Sequence, residues 1–556
     1  MIERIELKFG SGLGQPPLAF DVTPVTVFVG PNYSGKSKVI AEIAAQCQNG
    51  QINSSDVILQ NIEFSSLDRE HIGKAINSIT LPGLRGEAIY EGHVIVGNRG
   101  SRNQVPINNL TQAMISPNDL NLRPQYANWF LAFKTLILNG RNRIDLVNDQ
   151  PGGDLQQPPN TTFQQLFRDD ELRGRFSYIV KNALELYPVI DPTNLGQLRL
   201  RLSAQKPESP SLERNLDAAS VDFHAAATLI SEASDGAKAF VGILTEILAG
   251  NPEILLMDEP EAFLHPALAF TLGREVATSL AETRKRMFVS THSPQFLMGC
   301  IQSGVPINVV RLTYRNRVAT ARILPSSELV KLMRNPLLRS TNVASALFYE
   351  SVVVTEADPD RAFYQEINER LLRKGRGIPN CIFLNAQNKQ TIPTIIGPLR
   401  RLGIPAAAIY DVDFVKDGGG VAARFMETAG IPHLAQQGLT TTRAAIVVAL
   451  NSADPNYKKN GGIDVLSKAE NDAASDYFDQ LDAYGAFVVR KGELESWLRQ
   501  IGIGGHGPSW LVPMFEALGE DPNSCSYVHP AEDDVWAFLD GVSKWLLDPR
   551  RKGIPE

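Results

Sequence analysis

The sequence predicts an α/β protein in which a P-loop nucleotide-binding domain precedes a second α/β domain. A glycine-rich run, GPNYSGKS at residues 30–37, follows the β-branched strand Val25–Val29 and precedes a helical segment. A second apolar strand, residues 254–257, ends in two acidic residues. After residue 340, two more apolar strands end in acids, with an amphipathic helix between them. Strands that alternate with helices in this way are typical of parallel sheets.

Length and composition describe a multidomain globular protein. The chain has 556 residues, of which 43% are hydrophobic and 21% charged. No apolar run reaches the roughly 18 residues that cross a bilayer, and the first residues lack the apolar segment of a signal peptide. Four scattered cysteines predict a reducing cytoplasm. The net charge of −7 excludes a general affinity for nucleic acid, so any DNA contact must use local basic patches.

The glycine-rich run is expected to bind a nucleoside triphosphate. Its G-x-x-x-x-G-K-[ST] pattern is satisfied by Gly30, Gly35, Lys36 and Ser37. The glycines let backbone amides approach the phosphates, and the N-terminus of the next helix adds positive potential. Lys36 is expected to pair with the β- and γ-phosphates and Ser37 to bind Mg²⁺. Asn32 completes the predicted ATP-binding residues of this loop.

Two later strand ends are expected to complete an ATPase site. The strand at residues 254–257 leads into Asp258 and Glu259. Asp258 is suited to hold the Mg²⁺ bound through Ser37, and Glu259 to orient or deprotonate the attacking water. One element later, a strand at residues 287–290 leads to His292. An imidazole at that sheet edge can sense the γ-phosphate.

The runs GPNYSGKS, LLMDEPEAFLHP and VSTHSP resemble the ATPase head of the ABC class. The resemblance is to the branch shared by SMC/RecF-type DNA-repair ATPases and the OLD (overcoming lysogenization defect) family. In that class two heads enclose ATP, and a signature loop of one head contacts the γ-phosphate bound to the other. The resemblance assigns this loop to Ser234 and Gly236, in a run that departs from the LSGGQ pattern. It therefore implies a homodimer or a higher homo-oligomer.

Residues from about 50 to 225 are expected to form an inserted region that is mostly helical or mediates dimerisation. In the ABC class this interval carries a glutamine loop, for which Gln104 and Gln112 are both candidates. Arg141 and Arg143 are candidate phosphate contacts, although exposed loop arginines are commoner than phosphate-binding ones. No heptad pattern is sustained, which argues against a long coiled coil.

Acidic residues at two strand ends after residue 340 indicate a metal site. Ser351–Thr355 leads to Glu356, and a later strand ends in Asp411-Val412-Asp413. Residues two apart on an extended backbone point to one side, so Asp411 and Asp413 meet and repel unless a cation intervenes. With Glu356 from a neighbouring parallel strand, they offer hard oxygen ligands for two Mg²⁺ or Mn²⁺ ions.

This order of strand-Glu, helix and strand-Asp-x-Asp resembles the Toprim domain of topoisomerases, primases and OLD-family nucleases. The resemblance adds Asp360 as a metal ligand, with Ala357 in place of the glycine of the usual E-G-x-x-D/E run. It also implies metal ligands in an acid-Leu-Glu run after a late strand. Glu493 and Glu495 match that run, although acids also favour the first turn of a helix for purely structural reasons.

A lysine of such domains stabilises the pentacovalent phosphate, and here Lys491 is the nearest candidate, with Lys544 a distant alternative. An ATPase head followed by a Toprim domain is the order found in OLD-family ATP-dependent endonucleases. The resemblance therefore implies an ABC-class ATPase domain over residues 1–340 and a Toprim nuclease domain over residues 341–556. ATP is expected to regulate metal-dependent cleavage of DNA.

The resemblance further implies a cytoplasmic role in bacterial defence against phage, with a helicase or another defence protein as a candidate partner. Two other interpretations stay open. One is a non-nuclease, an ATP-driven DNA-repair clamp or scaffold with a structural Toprim domain. The other is a sensor ATPase whose Toprim half cuts RNA such as tRNA. The intact acids favour a metal site over the first alternative, and nothing in the sequence excludes the second.

Overall fold

The computed structural model of the chain forms two compact units, Met1–Ser326 and Ser327–Glu556. It describes residues 1–12, 14–84, 86–98, 101–140, 142–250, 252–336 and 342–554. The division between the units lies before the boundary predicted at residue 340. In these described ranges, no helix combines the length and the apolar character needed to span a membrane.

The strands of the first unit form a six-stranded sheet and several smaller antiparallel sheets. Their bounds are β1 Ile2–Leu7, β2 Ala19–Asp21, β3 Val25–Val29, β4 Leu59–Phe64, β5 His93–Asn98, β6 Ser101–Pro106, β7 Thr135–Leu138, β8 Gln150–Pro151, β9 Tyr187–Asp191, β10 Gln197–Ser203, β11 Thr228–Leu229, β12 Ile254–Asp258, β13 Arg286–Ser290, β14 Ile307–Arg315 and β15 Val318–Leu324.

The six-stranded sheet has the order β15-β14-β3-β13-β12-β7. The strands from β14 to β7 pair in parallel, and β15 pairs with β14 in the antiparallel sense. All five residues of β3 are buried, the pattern of a parallel strand covered on both faces. Parallel strands end at one edge of a sheet, so the loops after β3, β12 and β13 meet there. These loops carry the predicted nucleotide-binding residues.

Helices of the first unit cover the sheets, and several begin at a side chain that caps the helix. The helix Lys36–Asn49 starts after Gly35, and the helix Asp235–Ala249 is N-capped by Ser234, whose hydroxyl accepts from the amide of Ala237. The helices are Lys36–Asn49, Arg69–Asn77, Ile107–Ile115, Arg123–Tyr126, the π-helix Ala127–Leu131, Ala132–Lys134, Asn142–Asp145, Thr162–Arg168, Asp170–Leu184, Pro210–Arg214, Ala218–Ala225, the 3₁₀ turn Ile230–Glu232, Asp235–Ala249, Pro266–Thr278 and Pro294–Gln302. The helix Ser326–Arg334 lies at the division between the units.

The interval from about residue 50 to 225 is mixed rather than mostly helical. It contains β4 to β10 as well as helices. Gln197–Ser203, for example, alternates polar and apolar residues and pairs with β9 and β11. This period of two residues is the pattern of a strand with one buried face. The sequence prediction missed such strands because amphipathic helical stretches lie between them.

The second unit contains a fully parallel four-stranded sheet in the order β17-β16-β18-β19. Its strands are β16 Ser351–Thr355, β17 Cys381–Asn385, β18 Ala406–Asp411 and β19 Ala486–Val489. Its helices are the 3₁₀ turn Val343–Phe348, Asp358–Leu372, Ile392–Arg401, the 3₁₀ turn Val412–Lys416, Gly419–Thr428, His433–Ala453, Tyr457–Asn460, the 3₁₀ turn Gly462–Val465, Lys468–Asp482, the 3₁₀ turns Leu494–Ser496 and Arg499–Ile501, Pro508–Leu518 and Asp534–Leu547.

Large aromatic side chains fill the core of this unit on one face of the sheet. Phe363 and Tyr364 of the helix Asp358–Leu372 pack with Trp510 and Trp536 from the last two helices, and all four are at most 1% exposed. Packing of this density fixes the helix start that follows β16. The parallel pairing of β16 with β18 holds their carboxyl ends side by side, with the acidic residues at that edge.

Candidate functional site

The P-loop joins β3 to the helix Lys36–Asn49 by a path that requires glycine at two positions. Gly30 has a φ of +140°, and a Cβ there would lie 2.0 Å from the carbonyl oxygen of Leu312. Gly35 has a φ of +97°, and its Cβ would lie 2.4 Å from Cδ1 of Ile58. Positive φ values of this kind favour glycine. The spacing of the motif is therefore a steric requirement of the loop.

Lys36 folds back onto its own loop. Its Nζ donates hydrogen bonds to the carbonyls of Gly30, at 2.8 Å, and Pro31, at 2.7 Å. Burial lowers the pKa of Lys36 to about 8, although the carboxylates of Glu259 and Asp258 oppose this change. The ammonium group is thus placed in the loop where phosphates bind in such folds, and its hydrogen-bond acceptors in the described part of the chain are neutral carbonyl oxygens.

The polar groups around Lys36 fit a triphosphate. The hydroxyl of Ser34 is buried and has no hydrogen-bond partner within the described part of the chain. The side chains of Asn32 and Ser37 are exposed at the mouth of the loop. Phosphate oxygens would satisfy the Ser34 hydroxyl and supply the negative charge that the carbonyls on Lys36 lack. The loop can therefore hold ATP.

The ends of β12 and β13 bring the predicted acids and histidine together. Asp258 accepts a hydrogen bond from the hydroxyl of Ser290, and the amide of Glu259 donates to the carbonyl of Ser290 at 2.9 Å. His292 Nε2 lies 3.3 Å from Oε1 of Glu259. Burial and the nearby ammonium of Lys36 lower the pKa of His292, so its imidazole is neutral at pH 7.

Two further residues hold the backbone at this sheet edge, and neither of these contacts was predicted from the sequence. Glu261 Oε1 accepts from the Thr291 hydroxyl at 2.8 Å and from the His292 amide at 2.7 Å, which fixes the turn before His292. Arg143, whose side chain is buried, donates from Nη1 to the carbonyl oxygen of Glu259. Arg141, the other candidate arginine, lies outside the described residues.

The glutamine candidates lie elsewhere in the first unit. Gln104 belongs to β6 and Gln112 to the helix Ile107–Ile115. The strand beside β12 in the main sheet is β7, and the helix that follows it, Asn142–Asp145, carries Arg143. An arginine of the short helix after this strand therefore contacts the backbone of Glu259.

The predicted signature residues lie at the exposed start of the helix Asp235–Ala249. Ser234 caps the helix, and Gly236 is buried where a Cβ would lie 2.5 Å from the carbonyl oxygen of Phe263. Among the described residues, neither makes a hydrogen bond to the P-loop of its own chain. Ser234 is exposed, whereas Gly236 is packed against the carbonyl oxygen of Phe263.

In the second unit, β16 and β18 bring three predicted acids together. Ligand oxygens of Glu356, Asp411 and Asp413 all lie within 4.8 Å of one another, and the Asp411 amide donates to Glu356 Oε1 at 3.0 Å. Burial and the charge of Asp411 raise the pKa of Glu356 to about 8. Asp413 belongs to a 3₁₀ turn, Val412–Lys416, and not to an extended strand. The chain turns immediately after β18, so the predicted alternation is wrong although the two carboxylates do meet.

Lys458 is the cation at the centre of this group, and sequence reasoning missed it. Its Nζ lies 2.9 Å from Asp411 Oδ2, 3.6 Å from Asp413 Oδ1 and 3.7 Å from Glu493 Oε2. Burial acts to lower the pKa of Lys458, but Asp411 and Asp413 raise it above its ordinary value. Lys389 adds a second ammonium 3.2 Å from Asp413 Oδ2. Four carboxylates and two ammonium groups therefore share one small region.

Close backbone contacts hold Lys458 in place. A Cβ on Gly492 would lie 2.2 Å from the carbonyl oxygen of Lys458, and one on Gly462 would lie 1.9 Å from that of Arg490. The Ile463 amide also donates to the Arg490 carbonyl at 2.9 Å. Gly462 and Gly492 were the sequence signals for this tight approach, but nothing in their spacing connected Lys458 with the acids.

The remaining predicted residues of the second unit divide between this region and the surface. Asp360 caps the helix Asp358–Leu372 by accepting from the Ala357 amide at 3.1 Å, and burial raises the pKa of Asp360 to about 7. Lys491 and Lys544 are both exposed. Neither forms an ion pair with the acids within the described ranges.

Glu493 and Glu495 lie beside a histidine that sequence reasoning also missed. Ligand atoms of Glu493, Glu495 and His506 lie within 4.8 Å of one another. His506 Nδ1 is 2.8 Å from Glu495 Oε1, which also accepts from the amide of Gly507 at 2.6 Å. Glu493 thus faces both this histidine and Lys458.

One family model matches the chain, over residues 159–298, and is described as an AAA domain, putative AbiEii toxin, Type IV TA system. The matched interval contains Ser234, the two acids at the end of β12 and His292, and it does not include the P-loop. No curated protein matches the chain. The family match and the P-loop geometry together describe an ATPase-type domain in the first unit.

Solved SMC head domains are similar to the chain at low identity. The SMC head bound to the C-winged helix domain of ScpA is 17% identical, covers 59% of this chain and 99% of that chain, and has a TM-score of 0.34. The head domain from Thermotoga maritima is 14% identical, with 58% and 99% coverage and a TM-score of 0.29. The head with an extended coiled coil from Pyrococcus furiosus is 14% identical, with 60% and 98% coverage and a TM-score of 0.31. Such TM-scores are too low to define a shared fold.

Proposed function

We propose that this chain is an ATP-regulated, metal-dependent endonuclease of the OLD type that cuts DNA in bacterial defence against phage. The observation that carries the proposal is the meeting of Glu356, Asp411 and Asp413 at the ends of two adjacent parallel strands, with their ligand oxygens within 4.8 Å. Oxygen ligands of this kind are what Mg²⁺ and Mn²⁺ prefer. The ATPase-type domain in the same chain supports regulation by ATP.

In the first unit, Lys36 and Ser37 bind the phosphates and Mg²⁺, and Asp258 completes the Mg²⁺ ligands. Glu259 orients the attacking water, and neutral His292 donates a hydrogen bond towards the γ-phosphate. Ser234 and Gly236 act on the nucleotide of a second copy, as in ABC-class heads. Ser234 is exposed, and neither residue makes a hydrogen bond to its own P-loop among the described residues. The active ATPase is therefore a homodimer or a higher homo-oligomer in the cytoplasm.

In the second unit, the acidic residues fit divalent cations. Asp413 Oδ1 is buried with no hydrogen-bond partner in the described ranges, and Glu356 and Asp411 offer further oxygens beside it. Two Mg²⁺ or Mn²⁺ ions would stabilise the leaving oxygen and acidify water at neutral pH. Asp360 orients the helix that follows Glu356. The carboxylates therefore serve as ligands held by the sheet.

Lys458, rather than Lys491, is the cation that we assign to the scissile phosphate. Its ammonium group already lies against three carboxylates, whereas Lys491 is exposed and pairs with none of them in the described part of the chain. When the carboxylates bind a metal, the ammonium of Lys458 becomes available to a phosphate oxygen. Lys458 then neutralises charge that develops on the phosphate.

The test is cleavage by the full chain of supercoiled DNA, linear DNA and total tRNA, with Mg²⁺ or Mn²⁺ and with or without ATP. The Asp411→Asn/Asp413→Asn double variant removes two ligand charges and is expected to abolish cleavage while ATP binding persists. Asp472→Asn, in an exposed position of the helix Lys468–Asp482, is the matched control and should cut like the wild type.

Each outcome of this experiment decides between the interpretations. Undiminished cleavage by the double variant, purified free of contaminating nuclease, would refute the proposed site. Cleavage of tRNA alone would favour the RNA-cutting sensor. If the wild type cuts no nucleic acid under any combination of metal and nucleotide, the clamp or scaffold interpretation replaces the nuclease.

A further inference from the structure

Two aromatic residues of the first unit are exposed although their backbone adopts a left-handed conformation. Tyr33 has a φ of +63° and is 96% exposed, and Phe263 has a φ of +72° and is 60% exposed. A positive φ is unfavourable for a residue with a large side chain, and contact of an apolar ring with water is also unfavourable. Single exposed apolar residues are common, but strained residues cluster at functional sites.

A third large hydrophobic residue with a positive φ shows how packing can offset this strain. It is Leu498, with a φ of +52°, and it is fully buried in the core of the second unit. The described residues contain no other large hydrophobic side chain on a left-handed backbone. Because Tyr33 and Phe263 are mostly exposed, packing within their own unit does not offset their strain in the same way.

Both aromatic residues occupy the third position of a four-residue turn at the predicted ATP-binding edge. The amide of Ser34 donates to the carbonyl of Pro31 at 3.4 Å, and the amide of Leu264 donates to the carbonyl of Glu261 at 2.8 Å. Glycine or asparagine is the usual residue where a turn needs a positive φ at this position. The first turn belongs to the P-loop, and the second follows the acids at the end of β12. A large ring therefore stands in each turn where the backbone favours a small residue.

Phe263 also adjoins the predicted signature residues. A Cβ on Gly236 would lie 2.5 Å from the carbonyl oxygen of Phe263, so the start of the helix Asp235–Ala249 packs against this turn. The inference rests here on the proposed function, in which Ser234 of one copy meets the nucleotide of another. That arrangement brings Phe263 of the first copy to the P-loop of the second, where Tyr33 lies. A two-fold axis makes the same contact occur twice.

We propose that Tyr33 of one copy packs against Phe263 of another copy in an interface that ATP binding completes. Contact between the two rings, and the removal of their apolar surface from water, then offset the strain of both turns. Asp258 and Glu259 lie at the same edge as the expected triphosphate. This negative charge repels the phosphates of nucleic acid and favours a protein partner.

Glycine substitutions distinguish this contact from a purely structural role. Tyr33→Gly and Phe263→Gly remove the ring and relieve the left-handed backbone, so the melting temperature of the nucleotide-free protein should not fall. Each is expected to weaken association of the full-length chain at least tenfold in sedimentation velocity with Mg²⁺ and a saturating non-hydrolysable ATP analogue. Because the two rings contact each other, the double variant should lose less than the product of the single losses.

Tyr178→Ala is the matched control. It removes an exposed tyrosine from the helix Asp170–Leu184, and it should associate like the wild type.

Cross-linking tests the contact even if other surfaces also hold the copies together. Tyr33→Cys subunits are mixed with Phe263→Cys subunits, both carrying Cys525→Ser to remove the exposed native cysteine. With the analogue bound, a short bismaleimide should join the two kinds of subunit. It should join Tyr33→Cys subunits to one another far less, because the two-fold axis places Tyr33 opposite Phe263.

Several results would overturn the inference. They are a wild-type chain that stays monomeric with saturating analogue, unchanged association in both glycine variants, and equal cross-linking of all pairs. A Tyr33→Gly protein that associates normally but binds the analogue weakly would assign the ring to its own nucleotide instead.

The same measurements separate the inference from the proposed nuclease. Cleavage of nucleic acid together with association that neither substitution weakens would overturn the interface and leave the nuclease intact. Association that depends on both rings, in a protein that cuts no nucleic acid, would support the interface and refute the nuclease.

Discussion

Arg143 offers a quantitative test of how Glu259 is held for ATP hydrolysis. The Arg143 side chain is 2% exposed, and its Nη1 donates to the carbonyl oxygen of Glu259. Glu259 has a φ of +50°, a left-handed conformation that costs a non-glycine residue about 1–2 kcal/mol. Arg143→Met keeps the length and much of the packing of the side chain but removes the donor. The backbone of Glu259 is then expected to relax away from the geometry that aims its carboxylate.

The size of the effect follows from the type of hydrogen bond that is lost. A hydrogen bond from a charged donor contributes about 1.5–3 kcal/mol. If that energy serves to position Glu259, its loss corresponds to roughly a 10- to 150-fold fall in kcat, since about 1.36 kcal/mol is a factor of ten. The KM for ATP should change little, because the hydrogen bonds of Lys36 in the P-loop do not involve Arg143.

Steady-state ATP hydrolysis by the full chain measures kcat and KM separately. Arg143→Lys should recover part of kcat, because an ammonium can donate to the same carbonyl with less ideal geometry. Melting curves show whether either variant is unfolded. An unchanged kcat in a folded Arg143→Met protein, or a loss confined to KM, would refute the positioning argument.

Two other predictions concern the nucleotide site. ATP binding is expected to take up a proton increasingly between pH 7 and 9, because the buried Lys36 has a pKa of about 8 and the triphosphate raises it. Calorimetry in buffers of different ionisation enthalpy measures this uptake, and a value that stays constant over the range contradicts the assignment. Mixing Lys36→Ala subunits with Asp235→Ala subunits should restore some hydrolysis, since one composite site keeps both groups. No recovery despite demonstrated subunit exchange would argue against composite sites.

The parts of the fold that local sequence determines were predictable. Val25–Val29 and Ser351–Thr355 are strands with the predicted bounds. Both are rich in β-branched or aromatic residues, and a parallel sheet buries them on both faces. The glycine positions of the P-loop were equally predictable, because the positive φ values at Gly30 and Gly35 are unfavourable for other residue types. Acids at strand ends could be grouped because parallel strands finish at a common edge.

The parts that depend on tertiary structure were not predictable. Lys458 reaches Asp411 because the short helix Tyr457–Asn460 lies against Gly492, and no periodic sequence pattern predicts that approach. His506 meets Glu495 through an irregular segment with no motif. Arg143 was visible as a loop arginine, but its contact with Glu259 depends on the order of β7 and β12 in the sheet. Such contacts become apparent only when the neighbouring strands are known.

In each candidate site a lysine ammonium contacts oxygen atoms of the protein. These oxygens are neutral in one site and charged in the other, and this difference has a functional consequence. Lys36 contacts two neutral carbonyls, so a phosphate can take their place and gain a full charge interaction. Lys458 contacts carboxylates that a metal also needs, so the first metal ion must compete with an ammonium group. That cost falls when a phosphate receives the displaced ammonium, because the charge of Lys458 then remains paired. Metal and nucleic acid are therefore expected to bind the second unit cooperatively, which would keep the acidic site weakly metallated until its substrate is present.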